Sequence, residues 1–374
     1  MSLAKVSYET KESTWAGWSG YSNSSEFHAA APEAGTWSLF GEICYRAPKG
    51  IERRWEYGKV IGRTRLFPAF REQFDAPYWV VHKVHFLEAM HKLAVDLGVS
   101  IELASKVTSY DVHHPSITLA TGSIIHADLR HRCRRVNSST RKIVLGGKES
   151  LPQRTGFSAY RAVVDIKRIQ NDPDVSWLLE KPSFNLCTGK SFNVVLNHED
   201  LSDPADWRQD KDWRLSNMRK DFEGWDPVLS KIIGMIDKTM KWPLYSSSIM
   251  RRWVSGKLVV LGDAAHAMVP YMSQGSAIAV EDGVAIARCL RKVSTKNKIY
   301  LALSIFEKVR IRRASQMQEA SLLNSKIWHF PDGPIQRARD QAMRPEIEDL
   351  PFSHSPNQWS NPATQMWCYG YGSF

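Results

Sequence analysis

The chain has 374 residues, of which 43% are hydrophobic and 24% are charged, and its formal net charge at pH 7 is +11. A chain of this length can bury a sizeable core and form two domains, and no apolar run approaches the length of a membrane span, so we predict a soluble protein. Its five cysteines contain no CxxC pair and its twelve histidines no HxxxH pair. We therefore predict free thiols, no metal site and a cytoplasmic location.

The first 47 residues differ from the rest of the chain. They contain no apolar run and no hydrophobic periodicity, and they are rich in Ser, Thr, Gly and Ala. Such a composition predicts a loose segment. A basic start followed by an apolar stretch is also missing, so this segment is not predicted to be a signal peptide.

A basic run occupies residues 130–142. It begins with RHRCRR, which has four arginines in six residues, and it continues to Arg141 and Lys142. Such a run could bind nucleic acid or act as a nuclear address. Because it lacks interleaved aromatic residues and any recognisable nucleic-acid-binding motif, we predict no nucleic-acid partner and keep this function as an alternative.

The stretch KLVVLGDAAHAMVPYMSQGSAIAVEDGVAIARCL, residues 257–290, contains the most informative pattern. The apolar and partly β-branched residues 258–261 predict a strand buried on both faces, which Gly262 ends. From Ser276 onward apolar residues recur at spacings of three and four, which predicts a helix. Arginine and lysine residues lie in the last turn of this helix, so its positive end lies at residues 274–276.

A buried strand, a loop with one carboxylate and a helix N-terminus together can bind a polar, partly anionic ligand. Asp263 at the end of the strand can accept hydrogen bonds from hydroxyl groups. Gly275 allows a ligand to approach the backbone closely. The alternative is an ordinary strand-to-helix unit in which Asp263 only caps a turn.

The series GDAAHAMVP and QGSAIAVED resembles the second flavin-contacting motif of the FAD-dependent aromatic hydroxylases, the single-component monooxygenases of the para-hydroxybenzoate and salicylate hydroxylase type. The resemblance covers roughly residues 48–370, including Trp55 to Val107 and the tail segments WHFPDGPIQRARD and NQWSNPATQMWCYGY. These tail segments resemble the fungal salicylate-hydroxylase-like branch, which implies a function in secondary metabolism. The implied fold is α/β, of the FAD/NAD(P)-binding (para-hydroxybenzoate hydroxylase-like) type with an interleaved substrate domain.

The resemblance also implies a domain division. It assigns residues 48–75 and 151–250 to the substrate domain, 76–150 and 251–325 to the FAD-binding domain, and 326–374 to a C-terminal tail. Residues 1–47 remain an atypical N-terminal segment.

The resemblance implies an FAD site on the second motif. Asp263, next to Gly262, holds the ribityl chain, and Gly275 with Ser276 faces the pyrimidine end of the flavin. Lys83 stands where the family usually has Arg at a helix that contacts FAD; it keeps the positive charge but lacks the planar guanidinium. His266 is interpreted as a structural neighbour of the flavin.

The implied catalytic residues are Pro270, Arg161 and Tyr160. Pro270 belongs to the loop that borders the isoalloxazine ring. Arg161, in GFSAYRAVV, stands at the family's Tyr-Arg position next to Tyr160, where a cation can bind a substrate carboxylate or phenolate bidentately. The alternative for Arg161 is a surface or sheet-edge cation.

The chain departs from the family in two places. No GxGxxG occurs anywhere in it, so the N-terminal Rossmann unit is incomplete and we expect weak or no binding of FAD. Where the family has an apolar strand ending in Asp-Gly, typically VIAADG, this chain has RHRCRR. Since one choice of codons for RHRCRR spells VIAADG when read one base later, we hypothesise compensating frameshifts, and restoring VIAADG would lower the net charge from +11 to +6.

These observations predict an FAD-dependent monooxygenase that hydroxylates a small aromatic substrate with O2 and NADPH or NADH. No amino-acid side chain activates oxygen alone, so the cofactor must supply that chemistry. The alternatives are a degenerate, catalytically inactive homologue and a basic nucleic-acid-binding protein. The sequence leaves the substrate, the choice between NADH and NADPH, and the oligomeric state open.

Overall fold

The computed structural model describes residues 5–8, 18–19, 44–45, 49–75, 78, 80–81, 83–111, 116–132, 139–148, 151–180, 186–187, 191–207 and 210–371. The strands, in chain order, are β1 (Lys5–Tyr8), β2 (Trp18–Ser19), β3 (Cys44–Tyr45), β4 (Lys49–Arg53), β5 (Val60–Arg65), β6 (Val80–Val81), β7 (Ser100–Leu103), β8 (Val107–Asp111), β9 (Ser116–Leu119), β10 (Ile124–His126), β11 (Arg130–Arg132), β12 (Gln153–Asp165), β13 (Leu186–Cys187), β14 (Ser191–Glu199), β15 (Thr239–Ser246), β16 (Val254–Ser255) and β17 (Leu258–Val260).

The helices, in chain order, are α1 (Ala69–Phe74), α2 (Lys83–Asp96), α3 (Ser139–Val144), α4 (Ile166–Gln170), α5 (Trp177–Glu180), α6 (Lys211–Asp221), α7 (Pro227–Gly234), α8 (Asp263–His266), α9 (Gly275–Arg291), α10 (Ile299–Trp328), α11 (Pro334–Ala342), α12 (Arg344–Ile347) and α13 (Pro362–Tyr369). Single turns of 3-10 helix lie at Pro204–Asp206, Pro270–Met272 and Lys296–Lys298.

The predicted strand of the flavin motif is present and central to one sheet. Strand β17 spans Leu258–Val260, and its three side chains have no exposed surface. It pairs in parallel with β11, although the whole of a second sheet lies between these strands in the sequence. In an interleaved fold, the chain forms the sheet of one domain between two strands that pair in the other domain. The sheet of β12–β15 lies between β11 and β17 in this way, so the predicted interleaved fold is confirmed. The exact domain boundaries stay a prediction.

The RHRCRR segment contributes this parallel strand. Arg130 pairs with Leu258 and Arg132 with Val260, so the strand that the family resemblance expects is formed in spite of the charged residues. The residues 133–138 that follow lie outside the described residues. The frameshift hypothesis stays untested, because it concerns the gene and not the backbone geometry.

The basic run 130–142 is not a continuous charged surface. Arg141, on α3, is only 2% exposed and hydrogen-bonds inside the protein. The alternative nucleic-acid-binding surface is therefore wrong at this residue, because a buried guanidinium cannot contact phosphate groups.

Short strands lie in the N-terminal segment, although its composition predicted a loose segment. Strand β1 pairs in parallel with β7, with Lys5 opposite Ser100 and Tyr8 opposite Leu103. Strands β2 and β3 flank β6 in an antiparallel arrangement. The rest of the segment predicted to be loose lies outside the described residues.

Helices α9 and α10 pack beside β17 and complete the core of the flavin domain. Helix α9 begins at Gly275, one residue before the predicted start, and ends at Arg291. Asp263 was expected in a loop but is the first residue of the one-turn helix α8. This correction follows from Gly262, whose carbonyl accepts hydrogen bonds from the backbone N–H groups of Ala265 and His266 and so starts the turn early.

The substrate domain is built on an antiparallel sheet in the order β13-β14-β12-β15. Its outer face packs against α6 and α7 in an apolar core that includes Tyr160, Val164, Val194, Leu196, Met218 and Ile232. Its inner face turns toward the flavin motif, where Ala159 and Leu244 contact Val269 and Tyr271. Period-two alternation along β12 therefore divides its side chains between the two domains.

A buried pair of carboxyl groups joins the β4-β5 hairpin to the C-terminal region. Glu346, 4% exposed, accepts hydrogen bonds from the side chains of Ser355, Ser360 and Asn357. Glu52 lies beside it, and its Oε2 atom is buried without a hydrogen-bond partner. Burial, reinforced by the negative charge of Glu346, raises the pKa of Glu52 to about 7.

Glu52→Gln is expected to remove a pH dependence of stability. Because the pKa of Glu52 is higher in the folded chain than its ordinary value of 4.5, its contribution is complete below pH 4.5 and is lost as the pH rises toward 7. The variant should therefore be more stable than the wild type at pH 8 by roughly 2–3 kcal/mol, and the difference should vanish near pH 4.5. Urea unfolding at both pH values measures this, with the exposed Glu319→Gln as control; equal curves for Glu52→Gln and wild type at pH 8 would contradict it.

The described part of the chain contains neither a helix that could span a membrane nor a candidate metal site. No described helix has both the length and the apolar character needed to cross a membrane. The described residues also contain no group of three or more His, Cys, Asp or Glu side chains that could hold a metal ion.

Candidate flavin and substrate site

Gly262 forms the turn between β17 and α8. Its φ of 55° and ψ of −140° belong to a region that favours glycine, and a Cβ atom here would lie 3.3 Å from the Cβ of Ala279. The backbone N–H of Gly262 donates a hydrogen bond to Asp282 Oδ2 at 3.1 Å. The sequence predicted that Gly262 ends the strand; its positive φ and the close approach of Ala279 on α9 both disfavour a larger residue here.

Asp263 is exposed on an otherwise buried helix turn. Ala264 and Ala265 beside it are 0% and 1% exposed, whereas the Asp263 carboxylate reaches solvent and forms no ion pair or side-chain hydrogen bond with the described residues. A carboxylate held at the end of a buried strand with its lone pairs free can accept hydrogen bonds from the hydroxyl groups of a ligand. This matches the chemistry of a ribityl chain.

The N-terminus of α9 lies in the same loop region. Its N-cap residue Gln274 makes no side-chain capping bond, so the first N–H groups of the helix, from Gly275 and Ser276, are left without a side-chain cap. A Cβ atom at Gly275 would lie at an ordinary contact distance, 3.8 Å, from Cγ of Met268. Such a terminus favours an electron-rich ligand edge.

A buried ionic network, which the sequence did not predict, lies directly behind this motif. Asp282, on α9, is 0% exposed and contacts His266 Nε2 at 2.6 Å and Arg310 Nε at 2.9 Å. Burial acts to raise the pKa of Asp282, but His266, Arg310 and the N–H of Gly262 outweigh it and hold the pKa below its usual range. Asp282 thus holds both the Gly262 turn and His266, which makes His266 a structural residue of the motif, as interpreted from the sequence.

The network continues to the C-terminal helix. Arg310 also binds Glu281 at 2.8 Å, and Glu281 in turn pairs with Arg313. Arg313 donates hydrogen bonds to the backbone carbonyls of Trp367 and Cys368 at 2.7 and 2.8 Å. The flavin motif is therefore connected to α13 through α9 and α10. The Glu-Asp pair at the end of QGSAIAVED was the only signal for this network in the sequence.

Arg141 supports the motif from the other side. Its Nη1 atom donates hydrogen bonds to the carbonyl oxygens of Ala264 and Ala265 at 3.0 and 3.3 Å. These carbonyls lie in α8, where a helix leaves acceptors without intrahelical partners. Burial lowers the pKa of Arg141, and the backbone carbonyls stabilise its charged form in the interior.

The Pro270 loop is anchored by two residues distant in sequence. The carbonyl oxygen of Tyr271 accepts hydrogen bonds from Asn324 Nδ2 at 2.7 Å and from Trp359 Nε1 at 2.9 Å. Both donors are buried. The loop predicted to border the isoalloxazine ring is therefore held in one conformation by α10 and the C-terminal region.

Arg161 lies on the inner face of the substrate sheet, the face that meets the Pro270 loop through Ala159. It pairs with Val195 of β14 and Met240 of β15. Among the described residues its guanidinium has no ion pair and no hydrogen bond, and burial lowers the pKa of Arg161. A half-buried cation that no described residue pairs with can bind an anionic group of a ligand.

Tyr160 lies on the opposite face of the same strand. It is 0% exposed, its hydroxyl donates to Asp221 Oδ2 at 2.6 Å, and Lys241 Nζ lies 5.1 Å from its ring. The structure therefore does not bring Tyr160 and Arg161 together, because consecutive residues of a strand point to opposite faces. The catalytic role of Tyr160 stays a prediction.

Lys83 is the first residue of α2. Its side chain lies outside the described residues, so its predicted flavin contact stays a prediction as well.

This arrangement of a strand-turn-helix motif, a supporting ionic network and an inserted antiparallel sheet defines an α/β flavoprotein of the para-hydroxybenzoate hydroxylase-like fold. The FAD binding domain family matches residues 193–321. Solved structures with the same fold include HpxO of Klebsiella pneumoniae complexed with FAD and uric acid, with a TM-score of 0.74, 20% identity, and coverage of 90% of this chain and 85% of that one. A salicylate hydroxylase substrate complex matches with a TM-score of 0.70 at 20% identity, covering 95% and 88%.

Two curated relatives show the family more directly. The FAD-dependent monooxygenase OpS4 of Beauveria bassiana is 30% identical over 336 residues, which cover 85% of this chain and 78% of the relative. The 6-hydroxynicotinate 3-monooxygenase of Pseudomonas fluorescens is 30% identical over 72% of this chain and 71% of its own. The chain belongs to the FAD-dependent monooxygenases. FAD is the cofactor of this family, and NAD(P)H is its typical co-substrate.

Proposed function

We propose that this chain hydroxylates a small aromatic substrate bearing an acidic group, with FAD as cofactor and O2 and NAD(P)H as co-substrates. The observation that carries the proposal is the Arg161 guanidinium, which no described residue pairs with, on the sheet face that packs against the Pro270 loop. Relatives support the substrate class, since their names include 6-hydroxynicotinate 3-monooxygenase and 3-amino-4-hydroxybenzoate 2-monooxygenase.

The residues of the second motif fit FAD. The exposed Asp263 carboxylate accepts hydrogen bonds from ribityl hydroxyls, and the tight Gly262 turn sets its position. The free N–H groups at Gly275 and Ser276 bind the electron-rich pyrimidine end of the flavin, and Lys83 adds a positive charge. When bound, FAD supplies the oxygen chemistry that the side chains lack.

The remaining residues orient the substrate and exclude water. Arg161 pairs with the substrate anion and so fixes which ring carbon faces the Pro270 loop. The hydrogen bonds from Asn324 and Trp359 keep this loop rigid, and Pro270 with the buried Tyr271 covers that side of the ring. A rigid, dry site holds the reacting atoms in place and protects a reactive intermediate from water.

Asp263→Asn is expected to weaken FAD binding about 10- to 100-fold, because hydrogen bonds to a charged acceptor contribute about 1.5–3 kcal/mol each. Since Asp263 is exposed and has no protein partner among the described residues, the melting temperature should not change. Titration of the FAD-free chain with FAD, followed by flavin fluorescence, measures the dissociation constant.

The matched control is Asp96→Asn, an exposed aspartate at the end of α2. The same preparations are assayed for NAD(P)H oxidation stimulated by salicylate and by 6-hydroxynicotinate at saturating FAD. Equal FAD dissociation constants for Asp263→Asn and wild type, or NAD(P)H oxidation that no aromatic acid stimulates, would overturn the proposal.

A further inference from the structure

Strand β14 carries two asparagines on the face that presents Arg161. Val195 is directly opposite Arg161, Asn193 is opposite Val163, and Asn197 is opposite Ala159. Directly paired side chains share a face, and so do residues two apart in a strand. Asn193 and Asn197 therefore flank Arg161 diagonally, with Cβ atoms about 7–8 Å from its own.

The amide oxygens of both asparagines are unsatisfied. The Oδ1 atoms of Asn193 and Asn197 are buried and have no hydrogen-bond partner in the described structure. A buried acceptor without a donor loses its interaction with water and gains nothing in return, so such atoms are rare and call for an explanation. One explanation is that a ligand supplies the hydrogen-bond donor.

The pattern of β14 argues against a purely structural role for these side chains. Three of its four outward residues, Phe192, Val194 and Leu196, are apolar and buried against α6 and α7. The fourth, His198, stacks on the ring of Tyr160. Asparagine is unfavourable in strands, and yet it occupies two of the inward positions. No described residue donates a hydrogen bond to their Oδ1 atoms, so these acceptors add nothing to stability there.

A ligand can reach this face. Val195, between the two asparagines, is 40% exposed. Trp242 lies opposite Ala159 on the neighbouring strand and adds a half-buried aromatic side chain next to the cation. A cation, an aromatic side chain and two acceptors thus share one accessible face, which we call the amide face (Arg161, Asn193, Val195, Asn197 and Trp242).

We propose that Asn193 and Asn197 are specificity-determining residues, which select an aromatic acid that carries an N–H or O–H donor in addition to its anionic group. This inference rests on the proposed function, because it assigns the substrate class of the same site. Arg161 binds the anion, and the amide oxygens accept the donor hydrogens. An isostere that replaces the donor by a methyl group leaves the acceptors unpaired, which is the more costly outcome.

The test compares the three aminobenzoate isomers with the three methylbenzoate isomers. Each is titrated by calorimetry into the full chain at saturating FAD, which measures binding without requiring turnover. We expect at least one aminobenzoate to bind at least tenfold more tightly than the methylbenzoate substituted at the same position. Equal binding within every pair would overturn the inference.

Variants locate the effect. Asn193→Leu and Asn197→Leu should reduce the preference for the aminobenzoate to less than about threefold, while the methylbenzoate binds as well as before. Asn193→Val and Asn197→Val, which suit a strand better, guard against misfolding of the leucine variants. The control Asn297→Leu makes the same change at an exposed residue outside the sheet and should keep the preference. An unchanged preference in all four variants would overturn the inference.

Different results would overturn the proposed function and the proposed selectivity of Asn193 and Asn197. If both members of each pair bind and stimulate NAD(P)H oxidation alike, the proposed function stands and the amide face is not selective. If no aromatic acid binds, the proposed function is overturned and the inference with it.

Discussion

Asp282→Asn is expected to lower the free energy of unfolding by about 3–5 kcal/mol, because it leaves the buried Arg310 guanidinium without its main counter-charge. Asp282 and Arg310 are both 0% exposed and lie 2.9 Å apart. The same substitution weakens the acceptor for His266 and for the Gly262 N–H. Urea unfolding at pH 7 measures the loss of stability, and FAD titration measures the accompanying loss of the flavin turn.

A double variant distinguishes the loss of the Asp282–Arg310 ion pair from a general loss of packing. Combining Asp282→Asn with Arg310→Met removes both charges, and it should recover part of the stability lost in Asp282→Asn alone. The exposed Glu319→Gln on α10 serves as a control with no expected effect. A loss of less than about 1 kcal/mol in Asp282→Asn would show that the network does not support the motif.

Arg161→Met is expected to lower kcat/KM for an aromatic acid by about 10²-fold or more, because loss of one member of a desolvated charge pair costs about 2–5 kcal/mol. Arg161→Lys should fall between this variant and wild type, since lysine keeps the charge but not the bidentate geometry. FAD affinity should not change in either variant, because Arg161 lies on the substrate sheet and not on the flavin motif.

The exposed Arg219→Met on α6 is the matched control for Arg161→Met, because it removes the same group from the far side of the same sheet. Steady-state NAD(P)H oxidation, with the hydroxylated product quantified, gives kcat and KM separately. A kcat/KM within about threefold of wild type in Arg161→Met would assign the cation to the sheet surface rather than to the substrate.

The local part of the flavin motif could be predicted from the sequence. The apolar run at residues 258–261 and the spacing of three and four after Ser276 determine a strand and a helix, and both are found within one residue of their predicted limits. The GDAAH series then identified the family, which predicted the interleaved second sheet. Short-range periodicity and one specific motif suffice for this much.

The support behind the motif could not be predicted, because its members are distant in the chain. Asp282 contacts Gly262, His266 and Arg310, and Tyr271 depends on Asn324 and Trp359. No periodicity links residues that meet only when helices pack. Arg and Asn residues are usually exposed, so the sequence alone does not indicate that Arg310 and Asn324 are buried.

The N-terminal and RHRCRR segments show another limit of composition-based reasoning. Both lack the apolar pattern of a buried strand, but both supply short parallel strands. Backbone pairing with β7 and β17 outweighs the side-chain preference at these positions, because strand propensity depends strongly on context. Our expectation that the absence of GxGxxG weakens FAD binding stays a prediction.

The alternation of side chains along β12 separates the residues that face the flavin motif from those on the opposite face of the sheet. Tyr160 and Arg161 are neighbours in sequence, and the family resemblance implied a catalytic role for each of them. In a strand they must point to opposite faces, and only the packing of Ala159 on Tyr271 shows which face meets the flavin motif. The same alternation places Asn193 and Asn197 with Arg161.

Oxygen transfer from labelled dioxygen at saturating FAD tests the proposed monooxygenase activity directly. The chain is supplied with excess FAD, NADPH or NADH, an aromatic acid such as salicylate or 6-hydroxynicotinate, and ¹⁸O₂, and the products are analysed by mass spectrometry. We predict one ¹⁸O atom in a hydroxylated aromatic product, with less product in Arg161→Met. No labelled product from any aromatic acid at saturating FAD would contradict this function and favour a degenerate homologue.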